Sequence, residues 1–156
     1  MTEGDVIQFV AGLAGVVTTT ADEANGAPES AWGDSFFFYD PDGNTEPDNR
    51  WPFATIVVSD YPGFDESSKL HRPGVFRLNI DVGRAAFAQL LGYPPAAHAD
   101  HADEFDYAAL DRLLPHPAYA TQAWVSILNP DQTRSQAQAL LTQAHARAAA
   151  RHRPRH

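Results

Sequence analysis

Hydrophobic positions recur along the 156-residue chain at two different spacings, and the change of spacing divides it into elements. In the opening segment MTEGDVIQFVAGLAGVV, Val6, Phe9, Val10 and Leu13 follow helical spacing. Thr2 with Asp5 makes a capping-box pattern for that helix, and Gly15 offers its stop. Short β-branched and aromatic runs follow, predicting strands over 16–21, 35–39, 53–59 and 74–80. In the last run Phe76, Leu78 and Ile80 alternate with Arg77 and Asn79, so one face is core and the other polar. Between these strands, 22–31 reads as a loop, DPDGN at 40–44 as a hairpin turn, and Tyr61-Pro62-Gly63 as a strand end.

Helical spacing then returns. Phe87, Leu90 and Leu91 share a face over 84–91, with Gly92 as the stop. A second short helix is expected over 107–114, cut off by Pro115. WVSIL at 124–128 reads as a last strand, and Thr133 with Gln136 as a capping box for a terminal helix. Ala137, Leu140, Leu141, Ala144 and Ala148 form the apolar stripe of that helix. The expected order is α-β-β-β-β-α-α-β-α. Consecutive strands with short connections favour an α+β fold: an antiparallel sheet of about five strands with helices packed on one face. The expected domain covers 1–148, followed by a basic, disordered tail at 149–156.

Composition narrows the function classes. The chain is 44% hydrophobic and 20% charged, a globular balance at one domain's length. Its formal charge of -9 conceals an asymmetry: residues 1–146 hold 7 basic against 20 acidic residues, a net -13, while Arg147, Arg151, Arg153 and Arg155 crowd the end. The acidic body argues against non-specific nucleic-acid binding and anionic membranes. Without cysteine there is no disulfide scaffold, thiol chemistry or Cys-based metal site. Glu3 and Asp5 precede the first apolar run, which is unlike a signal peptide, and no run is long enough for a membrane span. A cytoplasmic monomer or homodimer is expected.

Familiar catalytic patterns are missing. There is no GxGxxG, no Walker-type loop, no GxSxG elbow and no HExxH. Counted from Asp40, a calcium loop would need Gly and Glu where Thr45 and Trp51 stand. Among His98, Asp100, His101, Asp103, Glu104 and Asp106 the residue types suit a metal, but the proline- and alanine-rich surroundings favour a surface loop. Neither metal nor cofactor is therefore expected.

The remaining chemistry lies on the polar side of the expected sheet. His116 and Tyr119 follow a helix end, Asp34 and Trp32 precede the phenylalanine strand, and Gln122 and Trp124 lead into the last strand. Histidine titrates near neutrality, so His116 is the candidate acid/base group, with Tyr119 and Asp34 as catalytic partners. Arg77 and Asn79 would bind an anionic or carbonyl-bearing small molecule between Trp32, Gln122 and Trp124. Each residue also has a structural alternative: Arg77 in an ion pair, Asn79 capping a helix, His116 bonded to a carbonyl. A second hypothesis is an interaction module in which the acidic surface or basic tail binds protein or nucleic acid.

The runs AWGDSFFFYDPDG, PFATIVVSDYPGFD, RPGVFRLNI and LPHPAYATQAWVSILNP resemble a bacterial domain-of-unknown-function family of similar length. More distantly, Pro115–Pro117, Trp124-Val125 and the helix after Thr133 resemble the late segment of MmcQ/YjbR-like proteins. That resemblance implies a small α+β double-wing fold and supplies no catalytic residue set.

Overall fold

The computed structural model describes residues 1–43 and 51–153. Helix α1 spans Glu3–Ala11, with Thr2 and Asp5 forming the reciprocal capping box. It ends at Gly12 rather than Gly15, whose positive φ turns the chain into strand β1, Val16–Thr20. Strands β2 (Ser35–Tyr39), β3 (Ala54–Val57) and β4 (Arg77–Asp81) follow. Helix α2 is Arg84–Leu91, stopped by Gly92 in the left-handed conformation. After short 3-10 turns come β5 (Leu113–Pro115), β6 (Trp124–Leu128) and helix α3 (Arg134–Arg151).

The sheet has six strands in the order β1-β2-β3-β4-β6-β5, with antiparallel neighbours throughout. The additional strand is β5, at a position expected to be helical. Three features of the segment accompany its non-helical backbone. Asp106 accepts from the Ala108 amide in an Asx turn, Asp111 has φ 54°, and Pro115 disfavours helical backbone at Leu114. Proline is tolerated because β5 is an edge strand.

A second difference concerns the start of α3. Thr133 makes no side-chain cap. The Asp111 carboxylate reaches across instead, accepting from the amides of Asp131, Gln132 and Thr133 and from the Thr133 hydroxyl. These donors hold its carboxyl well below the usual carboxylate range, the Thr133 hydroxyl contributing most. The same helix continues to Arg151, beyond the expected domain boundary at 148. Asn44, Thr45 and residues 154–156 lie outside the described residues.

Strand alternation assigns the two faces of the sheet. Phe37, Ala54, Ile56, Leu78, Ile80, Val125 and Ile127 form one core with Val6 and Val10 of α1, Phe87 of α2, and Leu140 and Leu141 of α3. Helices therefore cover this face, as the pattern of strands and helices predicts. Phe36, Thr55, Val57, Arg77, Asn79, Ser126 and Leu128 point the other way. On that side Val57, Leu128 and Leu114 close a small second core with Leu70.

Candidate functional site

The second face also carries a buried polar network set by strand register. Thr55, Asn79 and Ser126 stand opposite one another on β3, β4 and β6. Asn79 Oδ1 accepts from Ser126 Oγ at 2.7 Å and from Arg77 Nε at 2.8 Å, while its Nδ2 donates to Thr55 Oγ1 at 3.0 Å. Arg77 is 1% exposed, and its guanidinium forks onto Asp65 at 3.0 and 2.6 Å and also donates to Ser68 Oγ. Four of its five N–H groups are thus committed, and its charge is balanced by Asp65. The expected anion-holding arginine is an ion-paired one, and Asn79 braces it instead of capping a helix.

Above this network opens a cavity of about 540 Å³. Arg77, Asn79 and Thr55 lie in its floor, with His116, Tyr119, Gln122 and Trp124 on one side and Tyr61, Phe64 and Asp65 on another. Trp51, Phe64 and Tyr119 are 86%, 64% and 41% exposed. The cavity therefore combines aromatic walls with a polar floor, an arrangement suited to a planar ligand.

His116 enters this wall directly after the edge strand β5. Its Nδ1 accepts from the amides of Ala118 and Tyr119 at 2.9 and 3.0 Å, closing the turn that positions Tyr119. The proton of the neutral ring therefore sits on Nε2, which has no protein partner among the described residues. Burial, and then the charge of Arg77, hold the imidazole pKa well below its ordinary value. In this geometry His116 is held as a neutral hydrogen-bond donor.

Six expected site residues come together at the cavity: Arg77, Asn79, His116, Tyr119, Gln122 and Trp124. Two stand apart from its lining. Trp32 donates from Nε1 to the Ala27 carbonyl at 2.9 Å, bracing its own loop. Asp34 is fully buried, where it accepts from the Val58 amide at 2.9 Å and from the Tyr61 hydroxyl. Desolvation raises its carboxyl pKa against those hydrogen bonds. Asp34 therefore positions Tyr61, which itself lines the cavity.

Phe36, Thr55, Tyr61, Phe64 and Asp65 are lining residues that the sequence reading did not select. Phe36 and Thr55 were available in principle, since they pair in register on the face of Asn79. The Tyr61–Asp65 turn carries no such signal, because only its folding back over β4 brings Asp65 to Arg77.

The histidines of the metal-like cluster are engaged by their surroundings. His98 Nδ1 meets the Tyr93 hydroxyl at 2.8 Å, while His101 stacks on Tyr93 at 4.0 Å and pairs with Glu104 at 2.7 Å. His145 contacts the Ala14 carbonyl at 2.7 Å and meets Tyr39 edge-on. Among the described residues no helix is long and apolar enough to cross a membrane.

No curated protein and no solved structure matches this chain. A family model does match, over residues 1–156, and its description is a family of unknown function, DUF6194. The chain belongs to that family.

Proposed function

We propose that this protein is a small-molecule-binding domain whose ligand places a planar, uncharged, carbonyl-bearing group in the aromatic cavity. The observation that carries this reading is the His116 Nε2–H, without a partner among the described residues, in the wall of a cavity floored by Asn79 and Thr55. A carbonyl oxygen matches that donor, and a flat ring matches the Trp124, Tyr119 and Phe64 walls. Because Asp65 already balances Arg77, the floor favours a neutral group over an anion. His116 acts as a donor to the ligand, Asn79 as a floor contact, and Asp34 through Tyr61. As part of the same reading the protein is a cytoplasmic monomer or homodimer of MmcQ/YjbR-like fold, needing no resident cofactor.

An NMR-detected screen of planar amides and heterocyclic carbonyls tests the proposal. Hits are expected to shift the Trp124 indole signal and to be lost in Thr55→Phe, which fills the floor from a half-buried strand position. Hits that bind equally to a folded Thr55→Phe protein, or that leave Trp124 unmoved, would refute it.

A further inference from the structure

Arg151 and Arg153, unexplained by the cavity, lie beside it. A second groove of about 460 Å³ is lined by Asp81, Arg151, His152 and Arg153, and shares Trp51, Pro52, Gln122 and Trp124 with the aromatic cavity. Asp81 stands opposite Trp124 in the β4–β6 ladder, two residues along β4 from the floor residue Asn79. Strand rise puts these same-face positions about 7 Å apart.

The two compartments differ in charge. In the cavity the Arg77–Asp65 pair sums to zero and His116 is neutral. Among the described residues, Asp81 is the single carboxylate lining the groove against two guanidinium groups, and Arg147 also reaches Asp81 at 3.3 Å. Arg147 is seated over Gly83, where a Cβ would lie 2.6 Å from its Cζ, so a side chain there would displace it. With Asp81 engaged by Arg147, Arg151 keeps only a 4.0 Å contact and stays 59% exposed. Arg153 spends Nη1 on the Ala150 and His152 carbonyls, which answers the negative end of the α3 dipole. His152 is turned toward Asp42 at 3.3 Å. The result is a cationic groove on a chain whose net charge is -9.

We propose that this groove is an anion subsite, and that the ligand of the aromatic cavity carries a phosphate or carboxylate which Arg151 and Arg153 receive. The inference rests on the cavity being a ligand site. The separation of about 7 Å between floor and groove fits one sugar ring or a chain of three to four bonds between the planar group and the anion. Trp124 and Gln122 form the common wall past which such a linker runs.

Calorimetric titration with uridine and guanosine, their 5′-monophosphates and their 5′-carboxylates tests this. Both nucleosides present a flat carbonyl-bearing ring, and the two acids separate phosphate recognition from general anion recognition. The acids are expected to bind roughly five- to tenfold more tightly than the nucleosides at low salt, and salt should erode the gain. A gain for both acids supports an anion subsite, and a gain for the phosphate alone supports it for phosphate esters. Arg151→Ala/Arg153→Ala should abolish the gain, whereas Arg134→Ala, at the other end of α3 and paired with Asp5, should preserve it. Nucleoside binding with no gain from either acid, or a gain that survives the double substitution, overturns the inference and leaves the cavity reading standing. Failure of all six probes at millimolar concentration overturns both.

Discussion

Two faces of one sheet, built from alternate residues of the same strands, are buried by different means. On the helix side Leu78 and Ile80 lie fully buried among aliphatic and aromatic neighbours. On the loop side Arg77 and Asn79, one residue away in each case, are just as buried, and their polar heads are held by hydrogen bonds and an ion pair. Burial by itself therefore does not distinguish a core from a site. What distinguishes them is the cost of the group being buried. A well-packed apolar cluster of the same volume would often be as stable as a buried ion pair, so stability alone gives little reason for Arg77–Asp65. Under the proposed function, the pair would hold a rigid floor whose donors and acceptors are fixed before a ligand arrives.

That contrast is broken most severely by removing half of the ion pair. Asp65→Ala leaves Arg77 charged and buried, with an expected loss of about 3–5 kcal/mol in urea unfolding. Asp65→Leu/Arg77→Leu should recover much of that loss. If the double substitution is as damaging as the single one, the polar face contributes directly to stability and the contrast fails. On the helix side Leu78→Ala should cost about 2–5 kcal/mol, through lost transfer energy and the cavity left behind.

His116 sharpens the comparison through pH. Its folded-state pKa lies below the ordinary 6.5, so the unfolded chain binds the proton first as pH falls. The stability linked to His116 is fully present above about 6.5 and is lost as pH falls toward the folded value. His98 shifts in the same direction, chiefly through desolvation. In His116→Asn the amide oxygen can accept from Ala118 and Tyr119 without titrating. Its unfolding free energy should therefore fall less on acidification than that of the wild type, measured by urea titrations on both sides of that pH. An unchanged acid dependence would show that His116 is not the responsive group.

The smallest effect is expected at the rim. Phe64→Ala removes a ring that is mostly in water, so stability should change by no more than about 0.5 kcal/mol. Binding of planar ligands should weaken clearly in the same variant. A large stability loss there would mean that the rim is core, contrary to its exposure.

Much of this architecture was legible in the chain because it depends on local chemistry. The Thr2–Asp5 box, the span of α2 with its Gly92 stop, and the strands at 35–39 and 124–128 each follow from residues within a few positions of one another. The misplaced pieces depend on distant partners. Asp111 caps α3 from 22 residues before Thr133, so Thr133 with Gln136 was a plausible box that a distant carboxylate replaced. The segment at 107–114 has helical spacing, yet β6 offered Leu113–Pro115 a ladder, and Pro115 could accept an edge.

The candidate site divides along the same line. Alternation in GVFRLNI alone determined that Arg77 and Asn79 share a face opposite Leu78 and Ile80, because successive strand residues point in opposite directions. The charge asymmetry between the body and the end of the chain was equally plain in the residues. Only the tertiary structure decided that Asp65 neutralises Arg77, that two backbone amides occupy His116 Nδ1, and that Arg151 and Arg153 lie beside Trp124. The first two outcomes turn on which charges and donors meet in a low-dielectric interior, and the third on where the end of α3 packs against the sheet. That meeting is a property of the packed chain, because residue type sets what a side chain can bond and the fold sets what it finds.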